Sequence, residues 1–423
     1  MFKRTMVLLV LALVAAAVPA SAQETFVTPK TFTFAEPPNE FVFENGQKLG
    51  PITVVYETYG TLDPDGRNAI LVMHGIGGTA HAAGRHKPGG QLGWWDGLIG
   101  PGKPYDTTKY FVVSPQALAG GHNDNKPATG TTGPQSLDPK TGKPYGMRFP
   151  TFTIRDMVRV HMKLLEHLGV KHLLVVSGVS MGGYQALEFI TTFPDFADGA
   201  VPVVARARSS SAHMARHLIQ RQMIMNDPDW QNGDYYGTGK YPSLGQATSR
   251  MLSSVSYTNS PYWYENNLEE IDPAKSGYAD FKNKFKMEQE LWENALRGVK
   301  NGQDANCQLY QSFALTRQNV GWKRGDYSRG WRANLMDGLK LVQADVLMMP
   351  SRTDDSVRPE YAAEVVEILR SLGKKASLHV IDSERGHGGS SEYYQIIPPL
   401  TNFIKGLRGA KPDRTPTAGA PKQ

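Results

Sequence analysis

The chain has 423 residues, of which 40% are hydrophobic and 20% charged, and its formal net charge is +6. A chain of this length can bury a large core in one elaborated domain or in two. Its single cysteine, Cys307, excludes an intramolecular disulfide and is expected to be a small buried residue. The basic residues are scattered along the chain, which gives no support to nucleic acid or membrane binding.

The first 22 residues have the pattern of a secretory signal peptide. Lys3 and Arg4 precede an apolar stretch over residues 6–18, and a small-residue triplet at 20–22 resembles a cleavage site. The apolar stretch is too short for a membrane-spanning helix. We therefore expect an exported protein, periplasmic or secreted, whose net charge after removal of Lys3 and Arg4 is +4.

Apolar periodicity predicts strands and helices that follow one another along the first half of the chain. In chain order they are strands over 52–59, 69–73 and 110–114, a helix over 153–168, a strand over 173–177, a helix over 181–192 and a strand over 201–205. The stretch over 115–150 is polar and aperiodic, as functional or disordered loops are. Strands that alternate with helices, several of them unbroken apolar runs, indicate a mostly parallel sheet covered on both faces.

The pattern changes over residues 206–340, where strand signals vanish and helices are predicted near 212–226 and 279–298. We interpret this segment as a helical insertion that forms a lid. The alternation then resumes with a strand over 345–350, a helix over 359–372, a strand over 377–381 and a helix over 392–407. The predicted organisation is a signal peptide (1–22), the first part of the core (23–205), the lid (206–340), the second part of the core (341–408) and a disordered tail (409–423).

Ser180 lies in the pattern G-V-S-M-G, between a predicted strand and a predicted helix. This context is typical of a nucleophile elbow. Gly178 and Gly182 have no side chains, so the backbone can turn sharply and expose the serine hydroxyl. Because the chain has 43 glycines, the context supports this interpretation more than the bare pattern does.

A nucleophilic serine needs a base and an orienting acid, in the chain order serine, acid, histidine for an elbow of this kind. His387 follows the last predicted strand and is the predicted base, whereas His379 lies inside that strand. Asp354 and Asp355 follow the first strand after the insertion, and either can orient the imidazole. Asp382 is a third candidate, although its position is that of a residue that ends a strand.

Attack on a carbonyl also requires two preorganised backbone donors for the oxyanion. The predicted donors are the amides of Met181 and of Ile76, which lies in the glycine-rich corner H-G-I-G-G. His74 begins that corner and is expected to be a structural hydrogen-bonding residue. We predict no cofactor. We also predict no metal, because His122 and Asp124 lack the partners of a convincing metal site.

Several longer stretches resemble the homoserine O-acetyltransferase family, whose members have the α/β-hydrolase fold. Among them are HGIGGTAHAAG, GWWDGLIGPGKPYDTTKYFVVS, GVSMGGYQALEF and RQMIMNDPDWQNGDYY. The resemblance extends from about residue 40 to 405. It implies that Ser180 is the nucleophile, His387 the base and Asp354 the acid. It also implies that Arg221 lies near a substrate carboxylate and that the lid helices form a homodimer.

Two positions depart from the family pattern. The family usually has an aspartate directly after its histidine and a threonine in its oxyanion corner, where this chain has Gly388 and Gly77. The groups for acyl transfer are therefore present without those for amino-acid recognition, and an exported protein has no ready access to acetyl-CoA. We expect a serine hydrolase that cleaves a small ester through an acyl-enzyme. The alternatives are acyl transfer from acetyl-CoA to an alcohol such as homoserine, and a non-catalytic binding protein.

Overall fold

The computed structural model describes residues 26–121, 130–259, 263–270, 285–322 and 335–409. The predicted signal peptide, the pair His122 and Asp124, and residues 410–423 of the predicted tail lie outside these ranges. Within the ranges, no helix combines the length and the apolar character that crossing a membrane requires.

A mostly parallel sheet forms the centre of the molecule, as the sequence predicts. The strands are β1 (Lys30–Phe34), β2 (Phe41–Val42), β3 (Lys48–Leu49), β4 (Ile52–Tyr59), β5 (Ala69–Met73), β6 (Phe111–Pro115), β7 (Leu173–Val179), β8 (Ala197–Val203), β9 (Asp345–Met348) and β10 (Ala376–Leu378). Eight of them form one sheet in the order β1-β4-β6-β5-β7-β8-β9-β10, and β2 pairs with β3 separately. Only β4 runs antiparallel in the large sheet, to both β1 and β6.

The side chains of β5 divide the core into two layers. Ala69, Leu71 and Met73 belong to one buried cluster, and Ile70 and Val72 belong to the other. All five are buried because helices cover both faces of the sheet at this strand. A parallel strand in such a position needs an unbroken apolar run, which is why the sequence AILVM forms it.

The helices cover the sheet on both faces. The α-helices of the described residues are α1 (Ile154–His167), α2 (Met181–Thr192), α3 (Ser211–Met225), α4 (Ser243–Tyr257), α5 (Lys286–Asn301), α6 (Ala305–Thr316), α7 (Leu335–Leu339), α8 (Pro359–Ser371) and α9 (Tyr393–Lys405). Residues of α1, α2 and α8 pack in one cluster and residues of α9 in the other. A capping box between Thr153 and Asp156 begins α1.

Between β8 and β9 the described residues form α3 to α7, a region that we call the helical segment. Periodicity does not predict α4 and α6: nearly all side chains of α6 are buried, which leaves no single apolar stripe, and α4 mixes small polar residues with apolar ones. The helix predicted over 279–298 begins at Lys286 and ends at Asn301, and residues 279–284 lie outside the described ranges. The role of this segment as a lid stays a prediction.

Two predicted strands have different bounds in the structure. The strand predicted to begin at residue 201 begins at Ala197, because Asp198 and Gly199 interrupt the apolar run without interrupting the backbone pairing. The last strand ends at Leu378, so His379 lies just beyond it. Such differences arise because backbone pairing, which the side-chain pattern reflects only in part, determines where a strand ends.

The described residues of the long loop after β6 pack against the sheet. Thr131 and Thr132 are buried. Their hydroxyl oxygens accept hydrogen bonds from the backbone N–H groups of Val55 and Thr53, at 3.0 and 2.8 Å. This part of the loop therefore satisfies backbone donors of β4 and belongs to the core.

Candidate active site

The turn between β7 and α2 holds Ser180 in a backbone conformation that few residues other than glycine adopt. Its φ is 55° and its ψ is −121°, and its N–H donates to the carbonyl oxygen of Val203 at 2.9 Å. Side chains on the flanking glycines would collide with backbone: a Cβ at Gly178 with Gly182, and one at Gly182 with Met73. This sharp turn presents the serine hydroxyl at the end of the sheet.

His387 lies within hydrogen-bonding distance of Ser180, although 207 positions separate them in the chain. Its Nε2 is 2.8 Å from the Ser180 Oγ, and its Nδ1 is 2.5 Å from the Asp354 Oδ2. An ionised carboxylate only accepts hydrogen bonds, so Nδ1 carries the proton and Nε2 faces the serine hydroxyl with its lone pair. We call Ser180, His387 and Asp354 the Ser–His–Asp triad. Its geometry is the one in which an imidazole can take a proton from a serine.

The carboxylate of Asp354 is held from two sides. Its Oδ1 accepts hydrogen bonds from the backbone N–H groups of Ser356 and Val357, at 2.9 and 2.8 Å. Its Oδ2 is thereby directed to His387. Because the residue is only 1% exposed, these partners rather than water stabilise its charge.

The two alternative acids lie elsewhere. Asp355 is exposed and is 3.8 Å from a guanidinium nitrogen of Arg358. Asp382 is also exposed, and its Oδ1 is 2.6 Å from the Nε of Arg352. Of the three candidates that the sequence offers, the structure brings Asp354 alone to the imidazole.

The helical segment contributes a contact to the triad that the sequence does not signal. The ring of Tyr257, the last residue of α4, stacks on the His387 ring with centroids 4.9 Å apart and planes 29° from parallel. Burial raises the pKa of Tyr257 to about 12, so its phenol is neutral at physiological pH. This packing limits the orientations that the imidazole can adopt.

The corner after β5 lies beside the serine. The N–H of Gly78 donates to the carbonyl oxygen of Gly75 at 3.1 Å, which closes a β-turn. A Cβ at Gly75 would be 3.4 Å from the Ser180 Cβ. The turn thus brings the backbone of Ile76 near the serine, and Met181 directly follows the serine at the start of α2. Donation by these two amides to an oxyanion stays a prediction.

His74 has a structural position in this corner. Its Nε2 accepts the backbone N–H of Ala117 at 3.0 Å, and its Nδ1 is 2.6 Å from the Gly75 carbonyl oxygen. A ring nitrogen that accepts from an N–H carries no proton, so His74 is neutral and donates from Nδ1. It connects the corner to the segment after β6.

A cavity of about 660 Å³ lies between the triad and the helical segment. Ile76 and Gly388 line it on the side of the triad, and three arginines also line it: Arg221, Arg250 and Arg385. None of its lining residues, which all belong to the described part of the chain, is an aspartate or a glutamate. We call this space the arginine-lined cavity. Its charge favours a ligand with an anionic group.

The positive charge of the cavity comes from its arginines and not from its histidine. Burial lowers the pKa of His217 to about 3, so that ring is neutral. Arg221 donates from Nη1 to the hydroxyl of Ser312 at 3.0 Å. Burial lowers the pKa of Arg221 and of Arg250, but a guanidinium stays charged in proteins. Neither arginine forms an ion pair with a carboxylate of the described residues.

Gly388 and Gly77, the two departures from the family pattern, differ in the space and backbone conformation that they have in the structure. At Gly388 there is room for a side chain, because a Cβ would meet only the Cβ of Arg385, at 3.7 Å. Gly77 has a φ of 71°, and a Cβ there would lie 3.3 Å from the Oε1 of Gln303. Since a β-branched residue is strained at positive φ, the corner in this conformation suits glycine.

Comparisons with known proteins define the class and then the family. A family model described as the alpha/beta hydrolase fold matches residues 68–387. The chain is therefore an α/β-hydrolase-fold protein. Homoserine O-acetyltransferase from Moorella thermoacetica is 39% identical over 86% of this chain and 93% of its own length, and that from Deferribacter desulfuricans is 39% identical over 85% and 90%. The chain belongs to the homoserine O-acetyltransferase family, as its motifs predict.

Solved structures agree with this assignment. The homoserine O-acetyltransferase of Bacillus anthracis superimposes with a TM-score of 0.82 at 29% identity, covering 92% of this chain and 100% of that one. The crystal structure of an esterase superimposes with a TM-score of 0.79 at 30% identity, covering 90% and 100%. Enzymes named for transfer and for hydrolysis therefore share this architecture.

Proposed function

We propose that the protein is an O-acyltransferase of the homoserine O-acetyltransferase type, with a serine as its nucleophile. It takes an acetyl group from acetyl-CoA and passes it to a small alcohol. The observation that carries the proposal is the Ser–His–Asp triad beside the arginine-lined cavity. The identity to homoserine O-acetyltransferases over most of the chain favours an alcohol over water as the acceptor. We therefore rank acyl transfer above ester hydrolysis, whereas the sequence alone suggests the opposite order.

In the first half-reaction, Ser180 becomes acetylated. As its Oγ bonds to the thioester carbonyl carbon, His387 Nε2 takes the hydroxyl proton and Asp354 stabilises the imidazolium. The negative oxygen of the tetrahedral intermediate accepts hydrogen bonds from the amides of Ile76 and Met181, each worth roughly 10²–10³ in rate. When the carbon–sulfur bond breaks, the imidazolium protonates the departing thiolate, and CoA leaves.

In the second half-reaction, the acceptor replaces CoA. His387 takes the proton of the acceptor hydroxyl, whose oxygen bonds to the acetyl carbonyl carbon. The bond to Ser180 Oγ then breaks, and the serine oxygen regains a proton from the imidazolium. The products are the O-acetylated acceptor and the free enzyme. Attack by water in place of the acceptor would give acetate.

The cavity bears on the chemistry of the acceptor. Arg221 and Arg250 offer two guanidinium groups to a carboxylate, and charge-assisted hydrogen bonds of this kind are strong. The cavity lining has no carboxylate for an ammonium group. A hydroxy acid without an amino group, such as 4-hydroxybutyrate, therefore matches the cavity better than homoserine does.

The test is a product assay with acetyl-CoA and either homoserine or 4-hydroxybutyrate. We expect an O-acetylated acceptor to form faster than free acetate, and mass spectrometry to show an acetyl group on the peptide that contains Ser180. The variant Ser180→Ala is the control and should form neither adduct nor product. An intact protein that forms no Ser180 adduct with acetyl-CoA, with a short-chain ester or with a fluorophosphonate would contradict the proposal.

Hydrolysis of a small ester is the second candidate. One observation favours it: no lining carboxylate holds the ammonium of homoserine. The esterase that shares this architecture at 30% identity also supports it. Acetate release that exceeds acceptor acetylation at saturating concentrations of both acceptors would select this function over the first.

We also propose that the protein is exported, on the pattern of residues 1–22. Export would favour the second candidate function, hydrolysis of an ester, over transfer from acetyl-CoA, because an exported protein has no ready access to acetyl-CoA. Fractionation of cells that express the full chain, with sequencing of the mature N-terminus, tests this proposal. Recovery of uncleaved protein in the cytoplasm would contradict it.

A further inference from the structure

A second cluster of titratable side chains lies outside the lining of the arginine-lined cavity. Glu57 of β4 and two histidines of the loop after the oxyanion corner, His81 and His86, bring one ligand atom each within 4.8 Å of one another. His81 Nδ1 is 3.1 Å from Glu57 Oε2, and His86 Nε2 is 2.6 Å from Glu57 Oε1. The two imidazole centroids are 3.8 Å apart. The mechanism above uses none of these groups.

The hydrogen bonds of His81 show which of its ring nitrogens is available as a ligand. Its Nε2 is 3.1 Å from the carbonyl oxygen of Gln91, which can only accept, so Nε2 carries a proton. In a neutral ring, Nδ1 then has no proton and faces Glu57 Oε2 lone pair to lone pair. A cation between the two atoms removes that repulsion. Metal-bound imidazoles commonly donate their other N–H to a backbone carbonyl in this way.

The carboxylate of Glu57 needs a positive partner because it is only 1% exposed. The hydroxyl of Tyr59 donates to its Oε2 at 2.5 Å, and the Tyr59 oxygen itself accepts the N–H groups of Ala82 and Ala83 at 2.9 and 3.0 Å. The two imidazole rings lie 3.8 Å apart beside this carboxylate, so a single ion can face both of them. One metal ion bound by the carboxylate and both rings would supply the positive charge.

We propose that Glu57, His81 and His86 bind a divalent transition-metal ion, with Zn²⁺ as the best match. Two imidazoles and a carboxylate are a common protein ligand set for Zn²⁺. The side chain of His86 is 43% exposed, so solvent can supply a fourth ligand. Zinc bonds of about 2.0–2.2 Å separate neighbouring ligand atoms by about 3.4 Å, and rotation of the exposed His86 ring provides that space. The ion would fasten the loop after the oxyanion corner to β4.

The spacing of Glu57, His81 and His86 in the sequence matches no metal-binding pattern. Glu57 precedes the histidines by 24 and 29 positions and lies on a strand, whereas both histidines lie in a loop. Only the path of that loop back over β4 brings the three together.

The experiment uses the full mature chain without a polyhistidine tag, freed of metal by a chelator and then titrated with Zn²⁺. We expect saturable binding at micromolar Zn²⁺ or below, at one ion per chain, and a rise in the thermal unfolding midpoint. His86→Ala should weaken binding at least tenfold and remove the rise. Because His86 is exposed, this variant should fold, which circular dichroism checks. Co²⁺ in place of Zn²⁺ should give the visible absorption of a four-coordinate site.

His172→Ala is the matched control. His172 also pairs with a carboxylate, its Nε2 lying 3.0 Å from Asp198 Oδ1, but this pair is not part of a three-ligand cluster among the described residues. Zinc affinity should be unchanged in this variant. The proposal is overturned if no saturable binding occurs, or if one equivalent still binds with unchanged affinity in both His86→Ala and Glu57→Gln. Binding that is lost only in His387→Ala overturns it as well, because the ion then lies at the triad.

Discussion

The end of the sheet and the helical segment present two different surfaces to a substrate. At the end of the sheet, Ser180, His387 and Asp354 are already joined by hydrogen bonds of 2.8 and 2.5 Å. Across the cavity, Arg221 and Arg250 have no carboxylate partner among the described residues. The triad on the first surface is joined by hydrogen bonds without a ligand, and the second surface lacks a counter-charge that a ligand can supply. We infer that the sheet determines the type of reaction and the helical segment selects the substrate.

The largest expected effect concerns the strained serine. Ser180→Gly should lower acyl transfer at least about 10⁴-fold, because it removes the hydroxyl on which we propose that the acyl-enzyme forms. The same change should raise the free energy of unfolding by about 1 kcal/mol, since glycine accepts a φ of 55°. The strain relieved is about 1–3 kcal/mol and the entropic cost of glycine roughly 0.5–1 kcal/mol. Product assays and urea unfolding measure the two effects.

Ser180→Ala removes the hydroxyl without relieving the backbone strain, so it separates the two effects of Ser180→Gly. It should lose the same activity, but it should gain no stability from the backbone because alanine keeps the strain of a positive φ. Equal stabilisation of both variants would show that the turn is not strained, and substantial activity in either would remove Ser180 from the mechanism.

The next effect distinguishes two adjacent acids. Asp354→Asn should lower kcat by about 10³–10⁴-fold, because an amide that donates to Nδ1 favours the wrong imidazole tautomer. Asp355→Asn is the matched control, and we expect its kcat to stay within twofold of the original, since its carboxylate is exposed and contacts Arg358. A fall in kcat of the control as large as that in Asp354→Asn would contradict the role of Asp354 as the acid of the triad.

A smaller effect is expected across the cavity. Arg250→Gln should raise KM for 4-hydroxybutyrate by roughly 10–100-fold with little change in kcat, because one charge-assisted hydrogen bond is worth about 1.5–3 kcal/mol. Arg297→Gln is the control, since Arg297 lies on the exposed side of α5 and pairs with Glu293. If kcat falls and KM does not, the cavity takes part in the reaction itself, and the division between the two surfaces fails.

Of the two surfaces, the end of the sheet is the one whose residues can be predicted from the sequence. Ser180, His387 and Asp354 follow strands whose apolar runs are readable, and the chain order of the three groups is characteristic. The choice between Asp354 and Asp355 needs the backbone donors around the carboxylate, which no local pattern shows. The position of a catalytic residue that follows a strand can thus be predicted from the sequence to within one or two residues.

Other contacts of the site cannot be predicted from the sequence, because they join residues far apart in the chain. The stacking of Tyr257 on His387 depends on where the helical segment returns over the sheet. The three metal-ligand candidates meet only through the path of one loop, and α6 is buried on nearly all sides, which removes the stripe that identifies a helix. In each case tertiary packing supplies the information that local periodicity lacks.

The smallest effect tests whether recognition of an amino group can be restored. Gly388→Asp places a carboxylate directly after His387, at a position with space for a side chain. We expect the kcat/KM for homoserine, relative to that for 4-hydroxybutyrate, to rise about fivefold, since a partly exposed ion pair contributes about 1 kcal/mol. The effect should stay small because Arg385 lies close enough to compete for the new carboxylate.

Gly388→Asn is the matched control for that change, because it adds a side chain of the same shape without a charge. It should leave the ratio between the two acceptors unchanged. An equal rise in both variants would attribute the effect to shape, and a fall in Gly388→Asp would show that the carboxylate neutralises the cavity instead of binding the ammonium. In the latter case the arginines, not the missing acid, limit the use of homoserine, and the helical segment selects its substrate by positive charge alone.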